Sequence, residues 1–338
     1  MNDQRYQVHR HTLSESVDVV QLCDEVTGIR ACVAPARGAE LSSMQIKHED
    51  EWIELLYRAN DFSVTEGWQG RAPFLWPAVG RSFTDEQISE AEASGEEPEV
   101  GRYRSGGREY EIACHGFAMA SVWQESQSSC DEEGCEVTCV LESSDATEQF
   151  YPFDFTIEVA TRLAGGKLAP TISVHNASGG KDLPFSLGNH ISLNFPFTSA
   201  GKWEDGILRG TASREFGISE ISLLSGESFP KDFSEGFSIQ DESLWNAVLG
   251  GFERHSTMEL VQPDALTVRI RQEVDARWDM DDHRYFVLWA DPEESYFCPE
   301  PWLGCPNSLN TGQGLIRLPA GETFTWNMII ETETDGKI

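Results

Sequence analysis

No run of about eighteen apolar residues occurs in this chain of 338, and its opening MNDQRYQVHRHTLSES contains no apolar core. Neither a membrane span nor a secretory leader is expected, and a soluble, cytoplasmic protein is the resulting expectation. Bases are scarce: 25 Lys and Arg stand against 57 acids, a formal net charge of −32. A field of that sign repels nucleic acid and anionic lipid, so neither is expected as a partner. The acids are spread along the chain, which also fits a surface built for solubility. None of the 8 cysteines forms a C-x-x-C pair, and their spacings match no common zinc or redox pattern. All are read as free thiols. Cys139, in register with Val137 and Leu141, is expected to be buried.

Amphipathic helices are nearly absent. Only DEQISEAEASGEEPE, 85–99, reads as helix-like, and there Ile88 is the sole large apolar residue among seven acids and no base. With no face to bury, it is expected to be an acidic, solvated insertion at about 84–100, without packed structure. Nor is a repeat of about 20 to 50 residues evident, which argues against a propeller.

What the sequence does contain is period two. VDVVQL (17–22), IRACVA (29–34), EVTCVLE (136–142), LTVRIRQ (266–272), YFVLWA (285–290) and FTWNMIIET (324–332) read as strands. FTIEVATRL and LAPTISVH, joined through Gly165-Gly166, predict a hairpin. Many short strands over one long chain predict an all-β fold, a single large antiparallel β-sandwich domain over residues 1–338.

Three stretches differ from strand filler. In ACHGFAMA (113–120) glycine follows His115. In LPFSLGNHISLNFPF (183–197) His190 follows Gly188-Asn189. In FCPEPWLGCPNSLNTG (297–312) Glu300 stands between two prolines beside Trp302. Because proline fixes φ and lacks a backbone donor, the last stretch is expected to be a rigid loop rather than a central strand. A solvated glutamate or a hydrogen-bonded structural histidine is the ordinary reading for each residue taken singly. His115 and His190 stand apart from the other histidines because each neighbours glycine within an apolar segment. A walled-in imidazole near a carboxylate can hold a proton near neutral pH.

HGFA (115–118), LGNH (187–190) and CPEPWLGCPNSLNTGQGLIRLPAGETFTWNMII (298–330) resemble the signature regions of the aldose 1-epimerase, or galactose mutarotase-like, family. RAPFLWPAVGR (71–81) resembles that family's arginine-ended segment. The resemblance implies a supersandwich fold and interconversion of the α and β anomers of a sugar, with no metal or organic cofactor and a small-molecule sugar as partner. It implies Glu300 as general base, His190 as general acid, His115 as a second histidine on the sugar's oxygens and Arg81 as a substrate-binding cation. Trp302 and Trp289 are candidate platforms for the apolar face of the sugar; for Trp289 a place in the core is the competing reading. The chain departs from the family's pattern at Met119 and Ile191, and neither Asp241 nor Asp282 can be matched to the aspartate some members use on sugar hydroxyls. A resting state with ionised Glu300 and protonated His190 is expected.

Two other readings compete. A hexose-6-phosphate 1-epimerase would need cations converging on a phosphate, for which Arg71, Arg81, Arg102 and Arg104 are available. A non-catalytic carbohydrate-binding protein would use the same cleft without an acid and a base.

Overall fold

The computed structural model describes residues 5–13, 17–59, 68–253, 255–278 and 280–334. Residues 1–4 and 14–16 of the polar opening lie outside the described residues.

Period-two alternation becomes two faces. Along Phe155–Ala164 every second residue is buried, and this strand pairs with Lys167–Asn176 through Ala164↔Lys167, so Gly165-Gly166 is a two-residue turn. Both glycines take positive φ, 57° and 77°, as a primed hairpin turn requires. This hairpin sits inside a nine-stranded sheet running from Phe237–Ser238 at one edge to Gln124–Cys130 at the other. A second large sheet runs Leu224–Pro230, Arg214–Ile218, Asn246–Gly250, Arg284–Asp291, Tyr296–Leu303, Leu187–Asn189 and Phe74–Leu75, with Leu193–Asn194 also paired to Tyr296–Leu303. Five further strands between Tyr6 and Glu54 form an antiparallel meander. The molecule is an all-β sandwich.

One core joins the layers. Ile172, Val174, Phe324, Trp326 and Met328 of the nine-stranded sheet belong to the same buried cluster as Phe286, Leu288, Phe297 and Leu303 of the other. Each large side chain so buried stabilises by about 1.5–3 kcal/mol relative to exposure. Trp76 sits in this core, its ring 4.5 Å from that of Phe155 and 5.0 Å from that of Tyr151. All eight cysteines are free, and Cys139 is fully buried. Among the described residues no helix is long and apolar enough to cross a membrane.

Two expectations are corrected. Glu300 stands within a strand, Tyr296–Leu303, and not in a loop. That strand pairs along its whole length with Arg284–Asp291 on one side. On the other side it pairs only at its ends, Leu303 and Trp302 with Leu187 and Gly188, Phe297 and Tyr296 with Leu193 and Asn194. Residues 298–301 face the interruption, where the donors that Pro299 and Pro301 lack need no partner. Pro170 is accommodated the same way: the ladder from Lys167–Asn176 to Thr323–Thr334 skips Ala169 and Pro170.

The acidic insertion is the second correction, because Asp85–Ser94 is a helix. Its ends, not its face, explain it. Thr84 and Gln87 form a capping box, Asp85 and Glu86 lie in the first turn, and Gly95 closes the helix at φ 72°. Ala91 is buried and the Gln87 side chain donates to the Val100 carbonyl at 2.8 Å, which docks the helix on the body.

Candidate active site

The outward face of the second sheet carries a cavity of about 340 Å³. Parity assigns the residues. In Tyr296–Leu303, Phe297 and Leu303 point into the core, whereas Tyr296, Glu300 and Trp302 line the cavity. From the neighbouring strand Val287 and Trp289 line it too, opposite Glu300 and Cys298 in register.

His190 enters through the break in the ladder. Its backbone N–H donates to the Pro73 carbonyl at 3.0 Å and that of Ser192 to Arg71 at 2.8 Å, so the 190–192 segment turns away from the prolines. The imidazole Nε2 lies 3.4 Å from Glu300 Oε1, and the other carboxylate oxygen accepts from Trp302 Nε1 at 3.1 Å. The Trp68 ring stacks on His190 with centroids 5.0 Å apart, and Trp68 Nε1 donates to Ser192 Oγ.

His115 is held by backbone geometry. It and Gly116 both take left-handed φ, 68° and 75°, and a Cβ on Gly116 would lie 2.2 Å from the Trp76 carbonyl oxygen. The His115 N–H donates to the Gly80 carbonyl at 3.0 Å, while the Gly80 N–H donates to His115 Nδ1 at 3.1 Å. Because Nδ1 accepts, a neutral ring carries its hydrogen on Nε2. Burial, helped by the Arg81 charge, lowers this histidine to about 4. It is therefore a neutral hydrogen-bond donor at pH 7, 5.3 Å ring to ring from His190.

Burial also governs the acid–base pair. It pushes Glu300 well above the usual carboxylate range, against the opposing Trp302 hydrogen bond, and it pushes His190 well below the usual imidazole value. Both directions favour neutral forms, contrary to the expected charged pair. The two descriptions contain the same single proton, so they differ only in which partner holds it.

Cys298 Sγ, His190 and Glu300 offer ligand atoms within 4.8 Å of one another. Metal bonds of about 2.0–2.3 Å place tetrahedral ligand atoms roughly 3.3–3.8 Å apart, so this set would have to contract to hold a zinc-like ion. Burial also raises the Cys298 thiol well above its ordinary value, which opposes the thiolate such an ion needs. The set is better suited to moving a proton.

All six residues singled out in the sequence line one cavity: Glu300, His190, His115, Arg81, Trp302 and Trp289. Trp289 is 44% exposed at its rim and donates Nε1 to the Tyr296 hydroxyl at 3.2 Å, so it is not a core residue. Arg71 lies elsewhere, buried against Glu40 at 2.7 Å, and Arg102 and Arg104 pair with Glu109 on the surface. Neither Met119 nor Ile191 lines the cavity, and Asp241 and Asp282 are exposed away from it. Sequence reasoning missed Trp68, Tyr296 and Asn246, all lining residues. Asn246 carried no signal beyond its position after Trp245, and Trp68 followed a stretch without periodicity.

The aldose 1-epimerase family model matches residues 19–331 of the chain. The chain belongs to the aldose 1-epimerase family. Solved structures similar to it include a galactose mutarotase-like protein from Clostridium acetobutylicum, with TM-score 0.77 and 16% identity over 98% of this chain and 99% of that one. A galactose mutarotase related enzyme from Lactobacillus acidophilus is similar at TM-score 0.72 and 19% identity, covering 97% of this chain and 99% of that one. Galactose 1-epimerase from Lactobacillus acidophilus NCFM is similar at TM-score 0.70 and 14% identity, covering 98% and 99%. At these identities the likeness is one of fold. The cavity holds the four residues to which the resemblance assigned roles, Arg81, His115, His190 and Glu300.

Proposed function

We propose that the chain is a single-domain aldose 1-epimerase acting on a free aldose. The observation that carries this reading is the contact between His190 Nε2 and Glu300 Oε1, 3.4 Å, on the floor of a sugar-sized cavity. Ring opening needs a base on the anomeric hydroxyl and an acid on the ring oxygen. The pair already holds the one proton required. Shifting it from Glu300 to His190 yields carboxylate and imidazolium, and the Trp302 N–H favours the carboxylate. The carboxylate then takes the anomeric proton while the imidazolium gives its own to the ring oxygen, and the C1–O5 bond breaks to leave the open-chain aldehyde. Rotation about C1–C2 presents the other carbonyl face, and closure reverses both transfers. A positioned acid and base each contribute roughly 10²–10⁴-fold. His115, neutral with Nε2–H, donates to a sugar oxygen and steadies the ring while the proton moves, and Trp302 and Trp289 offer flat apolar faces to its C–H side.

Arg81 is the one cation among the described lining residues, which favours an uncharged sugar over a sugar phosphate. Polarimetry on freshly dissolved α-D-glucose and α-D-galactose is the test. Equilibration should be accelerated by the protein, and Glu300→Gln should lower kcat by at least about 10²-fold while sugar still binds. An unchanged equilibration rate across a panel of aldoses would refute the epimerase reading; a fully active Glu300→Gln would refute the assigned base.

A further inference from the structure

The acidic insertion reaches Arg81, a lining residue of the site. It leaves the body after Ser82 and returns to the same residue, where the Arg102 N–H donates to the Ser82 carbonyl at 2.7 Å. Between these points the capped helix ends at Gly95, and the chain that follows places Glu97 Oε1 2.6 Å from Arg81 Nε. Both side chains are about one third exposed, 36% for Arg81 and 32% for Glu97; Arg81 lines the cavity and Glu97 the adjoining groove, which shares Leu224 and Pro306 with it. The insertion is closed on itself by Gln87 donating to the Val100 carbonyl, and Glu86 pairs with Arg104 beyond it at 2.9 Å. Glu97 is thus delivered to Arg81 by a closed and docked excursion, not by a wandering side chain.

We infer that Glu97 is a specificity-determining residue: by occupying Arg81 it turns the cavity's one cation into a neutral pair and excludes phosphorylated sugars in favour of uncharged ones. This rests on the epimerase reading for its consequence but not for its physics. A phosphate arriving at Arg81 meets a carboxylate already in place, with Glu300 as a second acid nearby, and must displace it or endure a like charge. A sugar hydroxyl meets no such penalty. A guanidinium carries five N–H donors, more than one carboxylate can take, so Arg81 still has donors for neutral oxygens. The insertion read from sequence as solvated and without packed structure therefore sets the charge of the substrate.

The test compares wild type, Glu97→Gln and Glu97→Asp by two measurements at one ionic strength: polarimetry on a free aldose and on its 6-phosphate, and calorimetric titration with inorganic phosphate. Wild type should prefer the free aldose and bind phosphate weakly. Glu97→Gln should shift the ratio of kcat/KM toward the 6-phosphate and tighten phosphate binding, each by at least about tenfold. Glu97→Asp, which keeps the charge, should restore the preference for the free sugar. The inference is overturned if wild type uses the 6-phosphate as well as the free sugar. It is equally overturned if Glu97→Gln leaves both ratio and phosphate affinity unchanged, or if it weakens turnover of both sugars alike with no gain in phosphate binding, as a merely structural residue would. Should wild type turn over no aldose at all, the epimerase reading falls while the phosphate titration still decides the role of Glu97.

Discussion

His115 and His190 are both histidines on one wall, yet their hydrogen bonds give them different work. The Gly80 N–H occupies His115 Nδ1 and makes that ring a fixed donor, whereas His190 faces a carboxylate with which a proton can be exchanged. The sign of their titration follows from burial. Because His115 is lowered to about 4 in the fold, the unfolded chain binds the extra proton first, and stability is lost as pH falls from about 6.5 toward 4. The loss attributable to His115 is at most roughly 3 kcal/mol. Urea unfolding of wild type and His115→Gln at pH 7 and pH 4.5 measures it: the variant should show the shallower acid decline, leaving the share due to His190. For the pair itself, upward displacement of Glu300 and downward displacement of His190 both favour the neutral forms, with the single proton on Glu300. Hence the acid limb of kcat/KM, where His190 takes up a second proton, should lie below the ordinary imidazole value of about 6.5. A pH–rate profile of mutarotation with an acid midpoint above that value would contradict the neutral-pair description.

At the level of strands and turns, the chain is written in two kinds of signal, and only one is visible in isolation. Period-two alternation and the Gly165-Gly166 turn were legible: the strands read at 17–22, 29–34 and 136–142 lie within Val17–Asp24, Ile29–Ala34 and Cys135–Glu142. The prolines beside Glu300 misled, because their tolerance depends on what the neighbouring strand does, and that partner lies more than a hundred residues away. The acidic helix misled in a different manner. Its apolar face is slight, and its stability comes from the Thr84–Gln87 box, worth about 0.5–2 kcal/mol, with the charge of its first turn set against the dipole. The capping signal was present in the sequence and was outweighed by composition. Gly116 shows what local backbone demands of the site. Substituting alanine adds a Cβ 2.2 Å from the Trp76 carbonyl at a φ that costs a non-glycine residue about 1–3 kcal/mol. Gly116→Ala should lower the thermal midpoint and reduce kcat together, since the shift displaces His115; calorimetry and polarimetry on the same preparation read both.

Over the whole molecule, charge is the property that sequence declared most openly. A net charge of −32 on a folded chain carries self-repulsion that counter-ions relieve. The thermal midpoint should therefore rise between about 0.05 and 1 M NaCl, since the Debye length shrinks from more than about 10 Å to about 3 Å. A midpoint that falls over this range would mean that surface ion pairs such as Arg209–Glu259 outweigh the repulsion. Convergence of Arg81, His115, His190, Glu300 and Trp302 was legible through the family's signatures, since no spacing along the chain brings them together, whereas Trp289 lies outside those regions and was only a candidate platform. The remaining walls were not, because Tyr296 and Asn246 owe their positions to sheet order and Trp68 to its contacts with His190 and Ser192.

The interrupted ladder beside Pro299 and Pro301 has a consequence for how this chain can change. Were either proline replaced, the new amide would seek a carbonyl across the gap, and the nearest chain is the one that carries His190. Healing the sheet and keeping the imidazole are thus rival outcomes for the same few ångströms, so a substitution that looks like a repair in strand terms would close the doorway through which the histidine enters.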